Sequence, residues 1–112
     1  MRAAAALALL LLIACKPDET VQKKVALRAE LHVIRQALRN FHLDQRRYPH
    51  SLEELREKHY IRVIPPDPFT GRADWRLTTE ETVRQNNFST TIAANEVVIT
   101  DVHSSAPGYS EY

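Results

Sequence analysis

The chain has 112 residues, enough for one small domain once an N-terminal export segment is set aside. Fifteen lysines and arginines stand against fourteen aspartates and glutamates, and a formal net charge of +1 supplies no general field for attracting nucleic acid or acidic ligands. Cys15 is the single cysteine, which excludes an internal disulfide and leaves an unpaired thiol to be explained in an exported chain.

Met1-Arg2 makes a short positive start, and Ala3 to Ala14 are all apolar, the length and flank of a signal-peptide core. A membrane helix needs about twenty apolar residues, so this run is short for a permanent span. Leu12-Ile13-Ala14-Cys15 resembles the lipobox of bacterial lipoproteins, in which the cysteine is acylated and becomes the new N-terminus. That resemblance implies residues 1–14 as signal peptide, Cys15 as the lipid attachment site, 15–19 as a tether and 20–112 as the globular part. The competing readings are a plain secretory signal with an incidental cysteine, or an uncleaved anchor. Lys16 stands where an aspartate signals inner-membrane retention in Gram-negative lipoproteins, which tilts the expected destination toward the outer membrane, facing the periplasm.

Asp18 can cap a helix after Pro17. Leu27, Leu31, Ile34, Leu38 and Phe41 recur at 4-3-4-3 spacing and fall within an arc of about 80°, the apolar stripe of a long helix. Lys24, Arg28, His32, Arg35 and Arg39 form a basic edge beside it, read as a solvated face. Tyr48-Pro49 forces the backbone out of the helix. Ser51 and Glu54 have capping-box spacing for a short second helix that buries Leu52 and Leu55. Pro65 through Gly71 is too rich in proline for helix or central strand and reads as an ordered loop ending in a glycine turn. From Asp74 the pattern is β: Trp75 and Leu77 alternate with polar residues, Phe88 to Ala93 makes a second run and Val97 to Val102 a third, with turns at Asn86-Asn87 and Asn95-Glu96. The expected class is α+β, with one long helix packed on a small antiparallel sheet of about three strands and Trp75 buried beside Leu38 and Phe41.

In order along the chain, Asp44, Arg47, Tyr48, Pro49, Ser51, Leu52, Glu53 and Leu55, then Tyr60-Ile61, Pro66 through Gly71 (including Asp67 and Pro68), Trp75 and Asp101-Val102-His103-Ser104 form a set that resembles the major pseudopilin of type II secretion, a family with the type IV pilin fold. Arg46 and His59 stand where that family has glycines. The family's basic leader, its Phe-Thr-Leu-Ile-Glu start and its long apolar helix have no counterpart here. The resemblance implies a pilin-like head on a lipid tether: a non-enzymatic component of protein secretion or a pilus-like assembly, partnered by other pilin-like or secretion-system subunits. Family members also hold calcium in the loop after the last strand. Here that loop is short and Ser105-Ala106-Pro107-Gly108 lacks a carboxylate, leaving Asp101, Ser104 and Glu111 as weak candidates. A plain tail packing Tyr109 or Tyr112 is the preferred reading, with no cofactor.

His32, His42, His50, His59 and His103 are scattered without the spacing of a transition-metal site, and two glycines cannot build a phosphate loop. Basic residues do not interleave with exposed aromatics, so nucleic acid is not expected, and without convergent catalytic chemistry neither is a small-molecule substrate. The alternative function is a small exported hydrolase, which requires a carboxylate joined to a histidine around residues 42–57.

Overall fold

The computed structural model describes residues 18–83 and 95–112. Helix α1 runs over Glu19–Gln45, α2 over Leu52–Glu57, strand β1 over Arg76–Val83 and β2 over Asn95–His103. The two strands pair antiparallel. The class is thus α+β, a long helix with a two-stranded sheet among the described residues. The run Phe88 to Ala93, expected as a strand, and the turn at Asn86-Asn87 lie outside them. Asn95-Glu96 is not a turn: Asn95 pairs with Val83 and Glu96 with Thr82, because cross-strand pairing outweighs asparagine's weak preference for turns.

Asp18 caps α1, accepting the Thr20 N–H at 3.2 Å, and all five residues of the apolar stripe are buried, joined by Ala37. These six meet Leu55 of α2, Ile61, Trp75, and Ile99 and Val102 of β2 in one core. No side chain of the first two turns, Glu19 to Ala26, is buried, and at 1.5 Å per residue this leaves roughly 12 Å of helix beyond the core. Ile99 and Val102 could not face the same side of a regular strand. A bulge resolves this: Thr78 pairs with Asp101 and Thr79 with Ile99, so Thr100 falls between and the alternation shifts by one.

The far side of β2 meets the crossing between the helices, where Ile99 N–H donates to the carbonyl of buried Pro49 at 2.8 Å. Trp75 precedes β1, is 6 % exposed, and donates its indole N–H to Pro65 O at 2.7 Å. Leu77 is expected inward with Trp75 but is 41 % exposed, because it lies at the mouth of a cleft described below.

Helix α1 ends with Arg46 in the left-handed region, φ 56°, its N–H donating to His42 O. His59, just past α2, has φ 66°, and Gly71 has φ 71°. All three positions where the pseudopilin pattern carries glycine are therefore left-handed turns, two of them built from residues that adopt this conformation at a cost of about 1–2 kcal/mol.

Two measurements probe this frame. Trp75→Ala is expected to lower stability by about 3–5 kcal/mol in urea unfolding, and a loss below 1 kcal/mol would place the indole outside the core. His59→Gly is expected to raise stability by about 0.5–1 kcal/mol, the relief of strain less the entropy that glycine adds to the unfolded chain; a destabilised variant would contradict the turn geometry.

Candidate functional site

The stretch from Asp44 to Leu55 is organised around one carboxylate. Arg47 ends up facing α2 because the left-handed turn at Arg46 reverses the chain after α1, and its guanidinium meets Glu54 in a bidentate pair, Nη1 to Oε1 at 3.0 Å and Nη2 to Oε2 at 2.8 Å. Glu54 Oε1 also accepts the His50 backbone N–H at 2.9 Å. Ser51 caps α2 by accepting the Glu54 N–H at 3.2 Å. The expected capping box is thus half formed: Ser51 plays its part, but Glu54 reaches one residue further back, to His50, because Arg47 already holds it on that side. Arg47 completes the arrangement by donating to Tyr48 O and lying over the Phe41 ring, 5.0 Å from its centroid. The Arg47 hydrogen bond, reinforced by the His50 N–H and the nearby positive charge, holds the Glu54 carboxyl at about 2, far below the usual carboxylate range.

Asp44 accepts the Tyr60 hydroxyl at 3.0 Å, and the Tyr60 ring meets Phe41 edge-on at 5.2 Å. Tyr48 stacks on His42 with ring centroids 4.1 Å apart. A second carboxylate, the fully buried Asp67, organises the proline loop: Oδ1 accepts the Phe69 N–H at 2.8 Å and Oδ2 accepts the Ser104 hydroxyl at 2.6 Å, while its backbone pairs with Arg72 O and Gly71 N–H. Pro68 follows, half-buried. Thr70 donates to Asp74 at 2.6 Å and this bond holds the Asp74 carboxyl below its ordinary range.

Two of the three calcium candidates are engaged elsewhere. Ser104 faces Asp67, Asp101 pairs with Arg35 at 2.9 Å and accepts the Val102 N–H, and Glu111 is exposed. Among the described residues no group of three or more histidine, cysteine, aspartate and glutamate side chains is placed to hold a metal ion. The tail instead packs: Tyr109 stacks on Phe69 at 4.0 Å and Arg28 lies over the Tyr112 ring at 5.4 Å. Cys15 lies outside the described residues.

Sequence reasoning missed two features. Arg35 is not a plain solvated residue of a basic edge; besides Asp101 it donates to Val102 O at 2.9 Å and ties α1 to β2. The Arg47–Glu54 pair had a visible signal, two opposite charges flanking Tyr48-Pro49, but no spacing rule converts a seven-residue separation across a turn into a contact.

Among the described residues the surface carries two notable clefts. The larger, about 510 Å³, lies between α2 and the sheet and is lined by Leu52, Val63, Ile64, Trp75, Leu77 and Ile99 on its apolar side. The smaller, about 390 Å³, lies between the C-terminal half of α1 and the bulge of β2. Around residues 42–57 the contact between His50 and Glu54 runs through the backbone, while the His50 imidazole faces Glu96 at 3.8 Å. Among the described residues no serine hydroxyl is hydrogen-bonded to an imidazole. No helix among them is long and apolar enough to cross a membrane.

Fold and contacts together define a small α+β unit, a long helix with a two-stranded antiparallel sheet among the described residues, whose loops are tied to one another by polar side chains. No family model, no curated protein and no solved structure matches the chain.

The Glu54 clamp makes a pH-dependent contribution. Its carboxyl titrates lower in the folded chain than in the unfolded one, near 4.3, so the stabilisation is full above that value and is lost as pH falls toward 2. The shift corresponds to at most about 3 kcal/mol, and solvent around the half-exposed Arg47 reduces it toward 2. Urea midpoints compared at pH 7 and pH 3 should therefore fall more for wild type than for Glu54→Gln; equal falls would remove the clamp from the account.

Proposed function

We propose that this protein is a lipid-anchored, non-enzymatic interaction component resembling a type II secretion pseudopilin head, serving protein secretion or a pilus-like assembly at the periplasmic face of a membrane, with the outer membrane favoured by Lys16. The observation that carries this reading is the left-handed conformation at Arg46, His59 and Gly71, the three glycine positions of the pseudopilin pattern. A chance match to a few prolines and acidic residues has no reason to place unrelated side chains in a strained turn at each of these points. The motif's polar residues give further support. Asp44, Arg47, Asp67 and Ser104 are each engaged in contacts that hold loops against α1 or β2, Arg47 through the neighbouring Glu54, which suits a scaffold that presents surfaces.

The anchor fits the same frame. Lys16-Pro17-Asp18 leads from Cys15 directly into α1, and the first two turns of that helix carry no buried side chain, so they can act as a stalk between a membrane and the core. The apolar stripe of α1 is buried in the core, and stacked copies of its basic edge would bring Lys24, Arg28, Arg35 and Arg39 together, so partnership with a different subunit is favoured over self-assembly.

Metabolic labelling with a palmitate analogue tests the anchor. Wild type should take up label and Cys15→Ser should not; an unlabelled wild type, or equal labelling of the two, would overturn it. Ordered fibres formed by the chain expressed alone would likewise return residues 1–15 to the role of a pilin leader and helix.

A further inference from the structure

The smaller cleft, between the C-terminal half of α1 and the bulge of β2, has a composition that the fold does not require. Leu38 and the His42–Tyr48 stack give it apolar walls, and Leu43 at its edge is 66 % exposed. Arg35 and Arg39 sit one helical turn apart on the same wall, an arrangement that weakens an isolated helix through like-charge repulsion. Opposite them Asp101 is the single carboxylate, and it is already taken by Arg35 and the Val102 N–H. Arg35 uses Nε and Nη2 in those contacts, which leaves Nη1, and Arg39 is exposed with no ion pair or hydrogen bond among the described residues. The cleft therefore carries two guanidinium groups against one committed carboxylate, beside an uncovered leucine.

We propose that this cleft docks an acidic side chain of a partner protein, with the apolar residue next to it in the partner's sequence seated on Leu43 and the His42–Tyr48 stack. Arg39 receives the carboxylate and Arg35 adds its remaining N–H donors. An isolated anion would leave the apolar wall uncovered, whereas an adjacent leucine- or phenylalanine-like side chain would remove it from water and desolvate the ion pair, raising its strength. The assignment rests on the reading of this chain as an interaction module and specifies what its partner must present.

The test uses the full chain in detergent and nuclear magnetic resonance titration. The probe is the capped dipeptide N-acetyl-Leu-Glu-amide, with N-acetyl-Leu-Gln-amide, acetate and inorganic phosphate as comparisons. Saturable shifts at Arg39, Leu43 and Thr100 are expected for the acidic dipeptide, with affinity at least fivefold weaker for the glutamine dipeptide and for the two small anions. Arg39→Gln should lose at least fivefold in affinity for the acidic dipeptide, and Arg62→Gln, an exposed arginine outside the cleft, should not. Equal binding of the two dipeptides, an unaffected Arg39→Gln, acetate or phosphate bound as tightly as the dipeptide, or no saturable shift would each overturn the proposal. Acylation of Cys15 is read by labelling and does not enter this titration, so failure of the one leaves the other standing.

Discussion

The carboxylate of Glu54 ties the two helices together and, through the crossing between them, holds them to the sheet. It accepts two N–H bonds from Arg47, just past the end of α1, and one from the His50 backbone, and it belongs to the first turn of α2. Three successive segments thereby converge on one group within about 3 Å, and the Tyr48-Pro49 crossing between them is held in place. Pro49 then offers its carbonyl to Ile99, so the same clamp sets the position of β2. A neutral amide could not reproduce it, because a bidentate guanidinium–carboxylate pair is both stronger and more directional than neutral hydrogen bonds. The low titration point of Glu54 expresses how much the fold favours its charge.

A second carboxylate does the same for the other half of the chain. Asp67 is fully buried and joins the proline loop to Ser104, just past β2, while Trp75 joins the loop to the start of β1 through Pro65. Every buried side-chain nitrogen and oxygen among the described residues has a partner, so these polar groups impose register on a small core without leaving an unpaired group inside it. For a domain this small, fixing loops by buried polar contacts supplements an apolar core that size limits.

These constraints also separate what is structural from what is available for recognition. Arg28 covers Tyr112 and Arg35 holds Asp101, so two of the five residues of the basic edge of α1 are internal wiring, and past its end Arg47 holds Glu54. Arg39 and Leu43 remain uncommitted beside a cleft that the β2 bulge opens. Which charges the fold leaves over is concealed by the net charge alone, at +1.

Periodicity determined the helix by itself: the five stripe residues of α1 are buried because 4-3-4-3 spacing leaves a helix one way to hide its apolar surface. Local chemistry likewise determined the Asp18 and Ser51 caps, the break at Tyr48-Pro49 and the loop ending at Gly71, since capping, proline and glycine effects act over three or four residues. Asn95-Glu96 was legible only in tertiary structure, where pairing with Thr82 and Val83 overrides turn preference, and the bulge at Thr100 exists because Ile99 and Val102 must both reach the core. Contacts across the chain, Arg35 with Asp101 over 66 residues and Asp67 with Ser104 over 37, follow no sequence spacing. They depend on where the helix, crossing and loop come to rest, and that is set by the shared core and not by any one segment.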